Sequence, residues 1–347
     1  MDRGIISAGA APEEVQFEAA LRPRSLADFT GQPKVKENLA IAIEAAKMRG
    51  EAMDHVLLYG PPGLGKTTLA TLIANELGVS FEQTSAPVLQ KKLDLTGLLS
   101  NIRAHQIFFV DEIHRLAADV EEMLYSALED FRVDILVGAG PGARTHSLPV
   151  PRFTAVGATT RLGNISAPLR GRFGLVLRLD VYDAAQLAAI VQRSAKLLAV
   201  DFPDEAAVEV ARRSRGTPRI ANRLLRRVRD YAQVKAKGEV SKQVAVDALD
   251  LLEVDPLGLD EVDRRIMLAI LDKFDGGPVG LNTLSSAVDE EAGTIEEVYE
   301  PYLIQQGFLD RTPRGRMGTD RAYEYFGIQK RKGGAPPPLL FGNTDLN

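Results

Sequence analysis

Short apolar runs alternate with amphipathic segments over the first half of the chain. The runs of strand length lie at 55–59, 107–110, 153–158 and 175–179. Between them, apolar residues recur every three or four positions, as on one face of a helix. This alternation is typical of a parallel sheet covered by helices, because both faces of each strand are buried. We therefore predict an α/β domain over residues 21–182.

The pattern changes after residue 183, where strand-like runs become rare. Amphipathic stretches of helix length follow one another there, at 184–198, 204–214, 218–237 and 241–251. They predict a small all-α domain over residues 183–255. A proline and a glycine within 253–259 indicate a linker at its end.

A third pattern follows the linker. Three short helices are predicted at 260–274, 281–288 and 294–306, ahead of a hairpin near Gly315. Three helices and a hairpin are typical of a winged-helix domain, which we place at residues 256–330. The ends of the chain, residues 1–20 and 331–347, predict flexible tails, because the first has weak periodicity and the second is rich in proline and glycine.

Composition narrows the classes of protein. The chain has 347 residues, 45% of them hydrophobic and 26% charged, as in ordinary soluble proteins. No apolar run approaches the ~20 residues that span a bilayer, and the N-terminus lacks a signal pattern, so we expect a cytoplasmic protein without a membrane partner. With no cysteine, disulfides, a thiol nucleophile and a cysteine zinc site are excluded. The net charge of -5 disfavours a surface covered with nucleic-acid contacts but allows a local basic patch.

Residues 60–67, Gly-Pro-Pro-Gly-Leu-Gly-Lys-Thr, match the phosphate-binding pattern G-x-x-x-x-G-K-[ST]. They lie between a predicted strand and a helix predicted over 67–77, where backbone N–H groups and a helix N-terminus converge on a phosphate. In that setting Lys66 reaches the β/γ oxygens and Thr67 holds Mg²⁺ through its hydroxyl. The alternative, a loop that only ends a strand, does not require all eight positions. We therefore predict that the chain binds a nucleoside triphosphate with Mg²⁺.

Polar residues end two further predicted strands. Asp111 and Glu112 follow the strand 107–110, where Asp111 orients the Mg²⁺ shell and Glu112 polarises the attacking water. Thr159 and Thr160 follow the strand 153–158, and a hydroxyl there can hydrogen-bond the γ-phosphate or the water. For the threonines, the alternative is two β-branched residues that only end a strand.

Two arginines are candidates for contacts with the triphosphate. Arg172 lies in the short turn 168–174, from which it can reach the γ-phosphate of a neighbouring subunit or point into solvent. Arg219 lies in the first turn of a helix that follows Thr217 and Pro218. A cation opposes the helix dipole there, which favours a role with the nucleotide rather than in the fold.

The C-terminal domain carries its basic charge in the hairpin. The last predicted helix bears Glu296, Glu297 and Glu300, which repel phosphates, whereas the hairpin bears Arg311, Arg314 and Arg316. Arginines around a glycine turn can bind backbone phosphates without reading bases. The alternative is a solvated hairpin tip. We predict sequence-independent binding of nucleic-acid phosphates through these three arginines.

The order of these motifs resembles that of AAA+ ATPases, and several motifs resemble the RuvB family in particular. The similarity extends from about Leu21 to Ile328 and is carried by Leu21-Arg-Pro, Asp28-Phe-Thr-Gly-Gln32, Asp111-Glu-Ile-His-Arg-Leu116, Gly157-Ala-Thr-Thr-Arg161, Gly216-Thr-Pro-Arg-Ile-Ala-Asn-Arg223 and Glu300-Pro-Tyr-Leu-Ile-Gln-Gln-Gly-Phe308. The resemblance implies an ATP-driven motor that forms a hexameric ring on duplex DNA. It would drive Holliday-junction branch migration with RuvA in recombination and repair, with RuvC as a further candidate partner.

The resemblance also implies roles for individual residues. Thr159 corresponds to the γ-phosphate sensor, Arg172 to the arginine offered to the adjacent subunit, and Arg219 to the sensor of the helical domain. The residues implied to contact the nucleotide are Leu21, Arg22, Gly63, Lys66, Thr67, Thr68, Glu129, Asp130, Phe131 and Tyr182. Gly171 stands where the family often has an acidic residue, which predicts a looser Arg172.

The segment 132–150 resembles the hairpin that docks on RuvA, with His146 and Leu148 as candidate contacts. Two other classes of function stay open at this point. A clamp-loader-like or remodelling AAA+ switch would act on a protein partner, and stimulation of its ATPase by forked DNA would distinguish the motor from it. A winged-helix transcription regulator would need base-reading side chains on the last helix, where the glutamates lie.

Overall fold

The computed structural model describes residues 18, 20–137 and 144–330. Its contacts divide the chain into two compact units, one ending at Leu251 and the other beginning at Leu252. Apart from Glu18 and Ala20, the predicted tails lie outside the described residues. Within the described ranges, no helix has the length and apolar character needed to cross a membrane.

The first unit contains a five-stranded parallel sheet. Its strands are β1 (Val56–Tyr59), β2 (Phe81–Ser85) and β3 (Ile107–Asp111), followed after a separate antiparallel hairpin of β4 (Arg132–Val137) and β5 (Arg144–Pro149) by β6 (Thr154–Thr159) and β7 (Leu175–Arg178). The spatial order is β2-β3-β6-β1-β7. The four predicted strands are confirmed to within one residue at each end, as is the α/β class of the domain.

Strand β2 was not predicted, and its position in the sheet explains why. It pairs only with β3 and forms one edge of the sheet. Its residues, Phe-Glu-Gln-Thr-Ser, are partly exposed, so no apolar run marks it. Strand β3, by contrast, has neighbours on both sides, and Ile107 to Val110 are fully buried.

Among the residues that the structure describes, five α-helices accompany the sheet: α1 (Pro33–Arg49), α2 (Lys66–Leu77), α3 (Lys92–Leu99), α4 (Ala118–Glu129) and α5 (Ala167–Arg170). One hydrophobic cluster joins α3 and α4 to β3 and includes Phe108, Leu124, Phe153 and Phe173. Burial of large aromatic side chains dominates the energetics of such cores. The cluster therefore fixes the positions of β3 and β6 relative to each other, and with them the positions of their carboxyl ends.

The remaining helices of the first unit form the predicted all-α region, which we call the lid. They are α6 (Ala184–Leu197), α7 (Asp204–Arg212), α8 (Pro218–Lys235) and α9 (Lys242–Leu251). Ile220, Leu224 and Val228, four residues apart along one face of α8, are buried. Thr217 is the N-cap of α8 and Pro218 its first residue, as predicted.

The second unit is a winged helix, which confirms that prediction. Its elements are α10 (Glu261–Leu268), α11 (Leu281–Val288), α12 (Ala292–Thr294), α13 (Glu300–Gln305), β8 (Leu309–Thr312), β9 (Gly315–Gly318) and α14 (Asp320–Phe326). The antiparallel β8–β9 hairpin is the wing. The predicted helix 294–306 is interrupted by a π turn at Ile295–Tyr299, next to Pro301, which has no N–H to donate to the helix ladder.

His55 connects α4 to the sheet through both ring nitrogens. Its Nδ1 accepts the N–H of Ala155 at 2.9 Å, so its Nε2 carries the proton and donates to the carbonyl of Leu128 at 3.0 Å. The ring is buried, and this burial lowers the pKa of His55. The folded state therefore holds His55 neutral.

We predict that His55 reduces stability in mild acid. Because its pKa is lower in the folded than in the unfolded chain, its contribution is complete above about pH 6.5 and is lost as the pH falls, by at most about 1.4 kcal/mol per pH unit. The thermal midpoint, measured at pH 7.5 and pH 5.5, should fall less in His55→Leu than in the parent. His146→Gln, an exposed position, should behave as the parent. An unchanged pH dependence in His55→Leu would contradict the role of this ring.

Candidate functional site

The ends of three neighbouring strands bring the predicted motifs together. In the parallel register, Tyr59 of β1 pairs with Thr159 of β6, and Ser85 of β2 pairs with Asp111 of β3. The P-loop, residues 60–67, leaves the end of β1 and leads into α2. The P-loop, the carboxylate pair and the threonine pair therefore meet at the carboxyl edge of the sheet.

The start of α2 is an open anion site. Its N-cap is Gly65, at φ 100°, and no side chain caps the helix. The first N–H groups of a helix have no partner within the helix, so they are available to a bound phosphate. Gly63, at φ 77°, brings the loop close to the lid, where a Cβ would lie 2.7 Å from Cγ2 of Thr217.

Lys66 is buried within the P-loop. Its Nζ donates to the carbonyls of Gly60 at 2.7 Å and Pro61 at 2.8 Å. Burial lowers its pKa to about 8, with a smaller upward effect of Asp111 and a further downward effect of Arg219. An anion bound beside this ammonium would stabilise its charge, as expected of a phosphate site.

A cavity of about 460 Å³ opens at this edge of the sheet. Its volume lies in the ordinary range for small-molecule sites, roughly 300–1,000 Å³. The cavity is lined by residues predicted to contact nucleotide, metal or water: Leu21, Arg22, Gly63, Lys66, Thr67, Thr68, Asp111, Glu112, Tyr182 and Arg219. The lining thus combines the P-loop, the ends of strands, the lid and the segment around Leu21 and Arg22, which we call the N-terminal strip.

Asp111 and Glu112 have different surroundings. Asp111 ends β3 and accepts the N–H of Glu112 at 2.9 Å. Glu112 adopts the left-handed backbone region, at φ 50°, and its carboxylate pairs with Arg115 at 2.8 Å. Such backbone conformations are uncommon outside glycine and are frequent at functional sites.

Thr67 and Asp111 are suited to a hard cation. Both line the cavity, and hydroxyl and carboxylate oxygens are ligands that Mg²⁺ accepts. Over the described ranges, no group of three or more carboxylate or imidazole side chains could hold a metal alone. Mg²⁺ does not need such a group, because it takes one or two protein ligands and completes its shell with phosphates and waters.

At the end of β6, the two threonines differ in position. Thr159 is 1% exposed, and its Oγ1 accepts the N–H of Arg161 at 2.9 Å and contacts Nδ1 of His114 at 3.0 Å. Thr160 instead lines the cavity. The predicted sensor Thr159 is therefore buried and does not line the cavity, whereas its neighbour Thr160 does.

The lid and the N-terminal strip close the other side of the cavity. Arg193 of α6 donates to the carbonyl of Leu21 at 2.9 Å, and Tyr182 donates to that of Leu64 at 3.2 Å. Burial raises the pKa of Tyr182, which keeps this phenol protonated. Arg219 donates its backbone N–H to Gly63 at 3.4 Å, and its side chain pairs with Glu18 at 3.3 Å. The P-loop is thus hydrogen-bonded directly to the lid.

The other predicted nucleotide contacts, Arg172, Glu129, Asp130 and Phe131, do not line this cavity. Arg172 donates to Glu129 at 2.7 Å and to the carbonyl of Pro168 at 2.7 Å, and its guanidinium lies over the ring of Tyr125, 4.7 Å from the centroid. With Asp130 and Phe131 next to Glu129 in the chain, these residues form a second cluster at the end of α4. Within its own chain the Arg172 side chain has three contacts, and the looser Arg172 expected from Gly171 stays a prediction.

The structure of the wing differs in part from the predicted DNA-binding surface. Arg316 is 9% exposed, and it pairs with Glu300, itself 1% exposed, at 2.6 Å. Arg316 and Glu300 were predicted as surface charges, but the fold buries them against each other, with Glu300 supplied by α13, the helix that precedes the wing. Arg311 is exposed and pairs with Glu296 at 2.7 Å. Arg314 lies exposed at the turn, and it has no ion pair within the described part of the second unit.

Several lining residues were missed by the sequence analysis: Phe29, Ser85, Arg193 and Asn222, with Thr160 named there only as a possible hydroxyl. Asn222 follows Arg219 by three residues, so helical periodicity places it on the same face. Ser85 lies on the unrecognised strand β2. For Arg193, a single arginine on an amphipathic helix, the sequence carries no signal.

Comparison with known proteins gives consistent matches over most of the chain. The model of the Holliday junction DNA helicase RuvB P-loop domain matches residues 21–179, that of the RuvB AAA lid domain residues 182–255, and that of the RuvB C-terminal winged helix domain residues 256–327. A Holliday junction branch migration complex subunit RuvB from Solibacter usitatus is 70% identical over 340 residues, covering 98% of this chain and 99% of the relative. The corresponding subunit of Koribacter versatilis is 60% identical over 328 residues, covering 94% and 91%.

Solved structures give the same family as the sequence comparisons. The Thermotoga maritima RuvB Holliday junction branch migration motor is similar with a TM-score of 0.81 and 49% identity, covering 89% of this chain and 99% of that one. A variant of the same protein gives a TM-score of 0.83 and 50% identity, with the same coverage.

We predict that Gly63→Ala weakens nucleotide binding by about tenfold or more, because a Cβ at φ 77° forces the P-loop away from Thr217 and Arg219. Titration with a fluorescent ADP analogue would measure the loss. Gly97→Ala is the matched control, since a Cβ on that glycine of α3 meets no atom within 4 Å. Equal affinities of the two variants would contradict the close approach of the P-loop and lid.

Proposed function

Because the chain belongs to the RuvB family, we propose that it uses ATP to move Holliday junctions along duplex DNA as one subunit of a ring. The observation that carries this proposal is the cavity between P-loop, carboxylate pair and lid, in a chain that also has a winged helix. The first feature is a P-loop ATPase site, and the second is a common DNA-binding fold.

Within the cavity, we assign each polar residue a part in ATP hydrolysis. The open N-terminus of α2 and Lys66 bind the phosphates, and Thr67 and Asp111 would hold Mg²⁺, which neutralises charge on the phosphates when bound. Glu112 positions the attacking water once its carboxylate turns from Arg115. Thr160 faces the γ-phosphate, and Thr159 connects that end of β6 to His114.

We assign Arg172, Glu129, Asp130 and Phe131 to the nucleotide of a neighbouring subunit. Their place outside the cavity of their own chain supports a site shared between subunits. An arginine supplied by a neighbour stabilises charge in the transition state and makes hydrolysis depend on assembly. A closed ring, hexameric in this family by resemblance, gives every subunit such a neighbour.

The lid transmits the state of the nucleotide. Arg219, Tyr182 and Arg193 reach the cavity from the lid side and are bonded to the P-loop or the N-terminal strip. Loss of the γ-phosphate removes a partner of Arg219, which changes the angle that the lid prefers. Successive hydrolysis around the ring then moves DNA.

For DNA, we propose backbone contacts from Arg311 and Arg314. Glu296 competes with phosphates for Arg311, which limits the strength of the grip and suits a protein that must release and rebind. Arg316 holds the wing against Glu300, and phosphate could reach its guanidinium only by displacing that carboxylate.

The hairpin of β4 and β5 is the proposed RuvA contact. His146 and Leu148 are exposed on β5, with Leu148 at 38%, although the glycine-rich tip lies outside the described residues. RuvC is a further proposed partner, and the cytoplasm the proposed location.

The proposed function predicts ATP-dependent dissociation of a synthetic four-way junction, faster with RuvA than without. A linear duplex of the same length and a non-hydrolysable ATP analogue are the controls. If the protein hydrolyses ATP but leaves the junction intact with RuvA present, the motor assignment is wrong, and a switch acting on a protein partner takes its place.

Mixing two inactive variants tests the shared site. Lys66→Ala should lower ATP hydrolysis by at least roughly 100-fold by removing phosphate binding, and Arg172→Ala should do so while still binding ATP. In mixed rings, an intact Arg172 from a Lys66→Ala subunit serves the site of an Arg172→Ala subunit, so activity should return. The exposed Arg170→Ala, in the same turn, is the control and should stay active alone. A mixture without activity would show that the site is not shared.

Substitution of two wing arginines should affect two different properties, the stability of the second unit and the binding of DNA. Arg316→Ala leaves the buried carboxylate of Glu300 without its partner and should destabilise the second unit by about 3–5 kcal/mol. Arg311→Ala should leave stability within about 0.5 kcal/mol and lower the salt dependence of duplex binding by about one unit of slope. Unfolding in urea and binding at several salt concentrations would measure both. A stable Arg316→Ala protein would contradict the importance of the Glu300 pair.

A further inference from the structure

Arg172 is attached to a short helix whose start is well defined. Ser166 caps α5, and its Oγ accepts the N–H of Leu169 at 3.2 Å. The N–H of Arg172 then donates to the carbonyl of Leu169 at 3.1 Å. The backbone position of Arg172 is therefore set by α5 and its cap.

A polar cluster joins this cap to α4. The hydroxyls of Tyr125 and Ser166 lie 2.9 Å apart, and both contact Oε1 of Glu121. Burial, reinforced by the hydrogen bond to Glu121, raises the pKa of Tyr125, so its phenol stays protonated as a donor. One carboxylate of α4 thus holds both the ring of Tyr125 and the start of α5.

The ring of Tyr125 in turn supports the guanidinium of Arg172, which lies 4.7 Å from its centroid. The contact with Glu129 is less restrictive, because the Glu129 side chain is 63% exposed and exposed pairs are weak. Nε of Arg172 is buried and has no hydrogen-bond partner in the described structure. The side chain is therefore held in place by Tyr125 and Pro168.

From this arrangement we propose that Tyr125, held by Glu121 and Ser166, is the positioning residue that aims Arg172 at the nucleotide of the adjacent subunit. The proposal rests on the shared site proposed above. Gly171 has no side chain with which to fix the turn, so the orientation of Arg172 comes from α4. Glu121 is a second positioning residue, which acts through Tyr125 and Ser166.

The test places the same substitution either in the subunit that donates Arg172 or in the subunit that supplies the P-loop of the same active site. Lys66→Ala subunits donate Arg172, and Arg172→Ala subunits supply the intact P-loop. Tyr125→Leu added to the donor should lower the recovered ATPase rate by about tenfold, with the KM for ATP unchanged, because it misplaces a transition-state contact. Tyr125→Leu added to the other subunit should leave the rate within about twofold.

Tyr125→Phe keeps the ring but loses the anchor to Glu121, so in the donor it should lower the rate by roughly threefold. Tyr125→Phe also keeps the proposal testable if Tyr125→Leu misfolds, and the thermal midpoints of both variants would reveal such misfolding. Glu122→Gln neutralises an exposed carboxylate one residue from Glu121, so it serves as a control on the same helix and should change nothing.

The possible outcomes separate the two proposals. Equal losses from Tyr125→Leu in either subunit would indicate a merely structural role and overturn the positioning role alone. No loss in the donor would overturn it as well. If single variants without a change at Tyr125 fail to restore activity when mixed, the shared site is wrong, and the positioning role falls with it.

Discussion

The parallel register of β1, β6 and β3 is the constraint on which the rest of the structure depends. Hydrogen bonding between these strands places Tyr59 beside Thr159, with β3 on the other side of β6. The chain leaves all three strands at the same edge, so motifs far apart in sequence meet around one cavity. Ligands in such sheets bind beyond the carboxyl ends of the strands for this reason. The aromatic cluster around Phe108 and Phe153 fixes the register of the strands at that edge. A shift of one strand by one residue would move its side chains to the other face of the sheet.

The sequence predicted those parts of the molecule whose chemistry is local. The P-loop needs glycines at set positions, so its sequence shows both its shape and its ligand. Strands β1, β3, β6 and β7 were visible because they are apolar runs, and α8 because Thr217 and Pro218 mark its start. The family assignment rests on the same local motifs, together with those of the second unit. Edge strand β2 has no such run, since one side of it has no neighbouring strand.

What the sequence could not show is which charges are partners. Arg311, Arg314 and Arg316 are equivalent in a linear reading, yet the fold buries Arg316 against Glu300 and leaves Arg314 exposed. The glutamates of the last helix were interpreted as a repulsive surface, but one of them, Glu300, forms a buried ion pair with Arg316. Likewise, Thr159 and Thr160 differ only in which side of the strand end they occupy. Ion pairs between distant segments depend on tertiary contacts, which a periodic pattern does not encode.

The burial of Lys66 has a consequence for the energetics of nucleotide recognition. An amine with a pKa of about 8 is only partly protonated in mildly alkaline solution, and the approach of a polyphosphate restores its full charge. Recognition at that pH is therefore coupled to proton uptake from the buffer. The heat observed by calorimetry will contain the ionisation enthalpy of the buffer, and the apparent affinity will decline as alkalinity increases. Lys66 thus acts as a weak base as well as a ligand for anions.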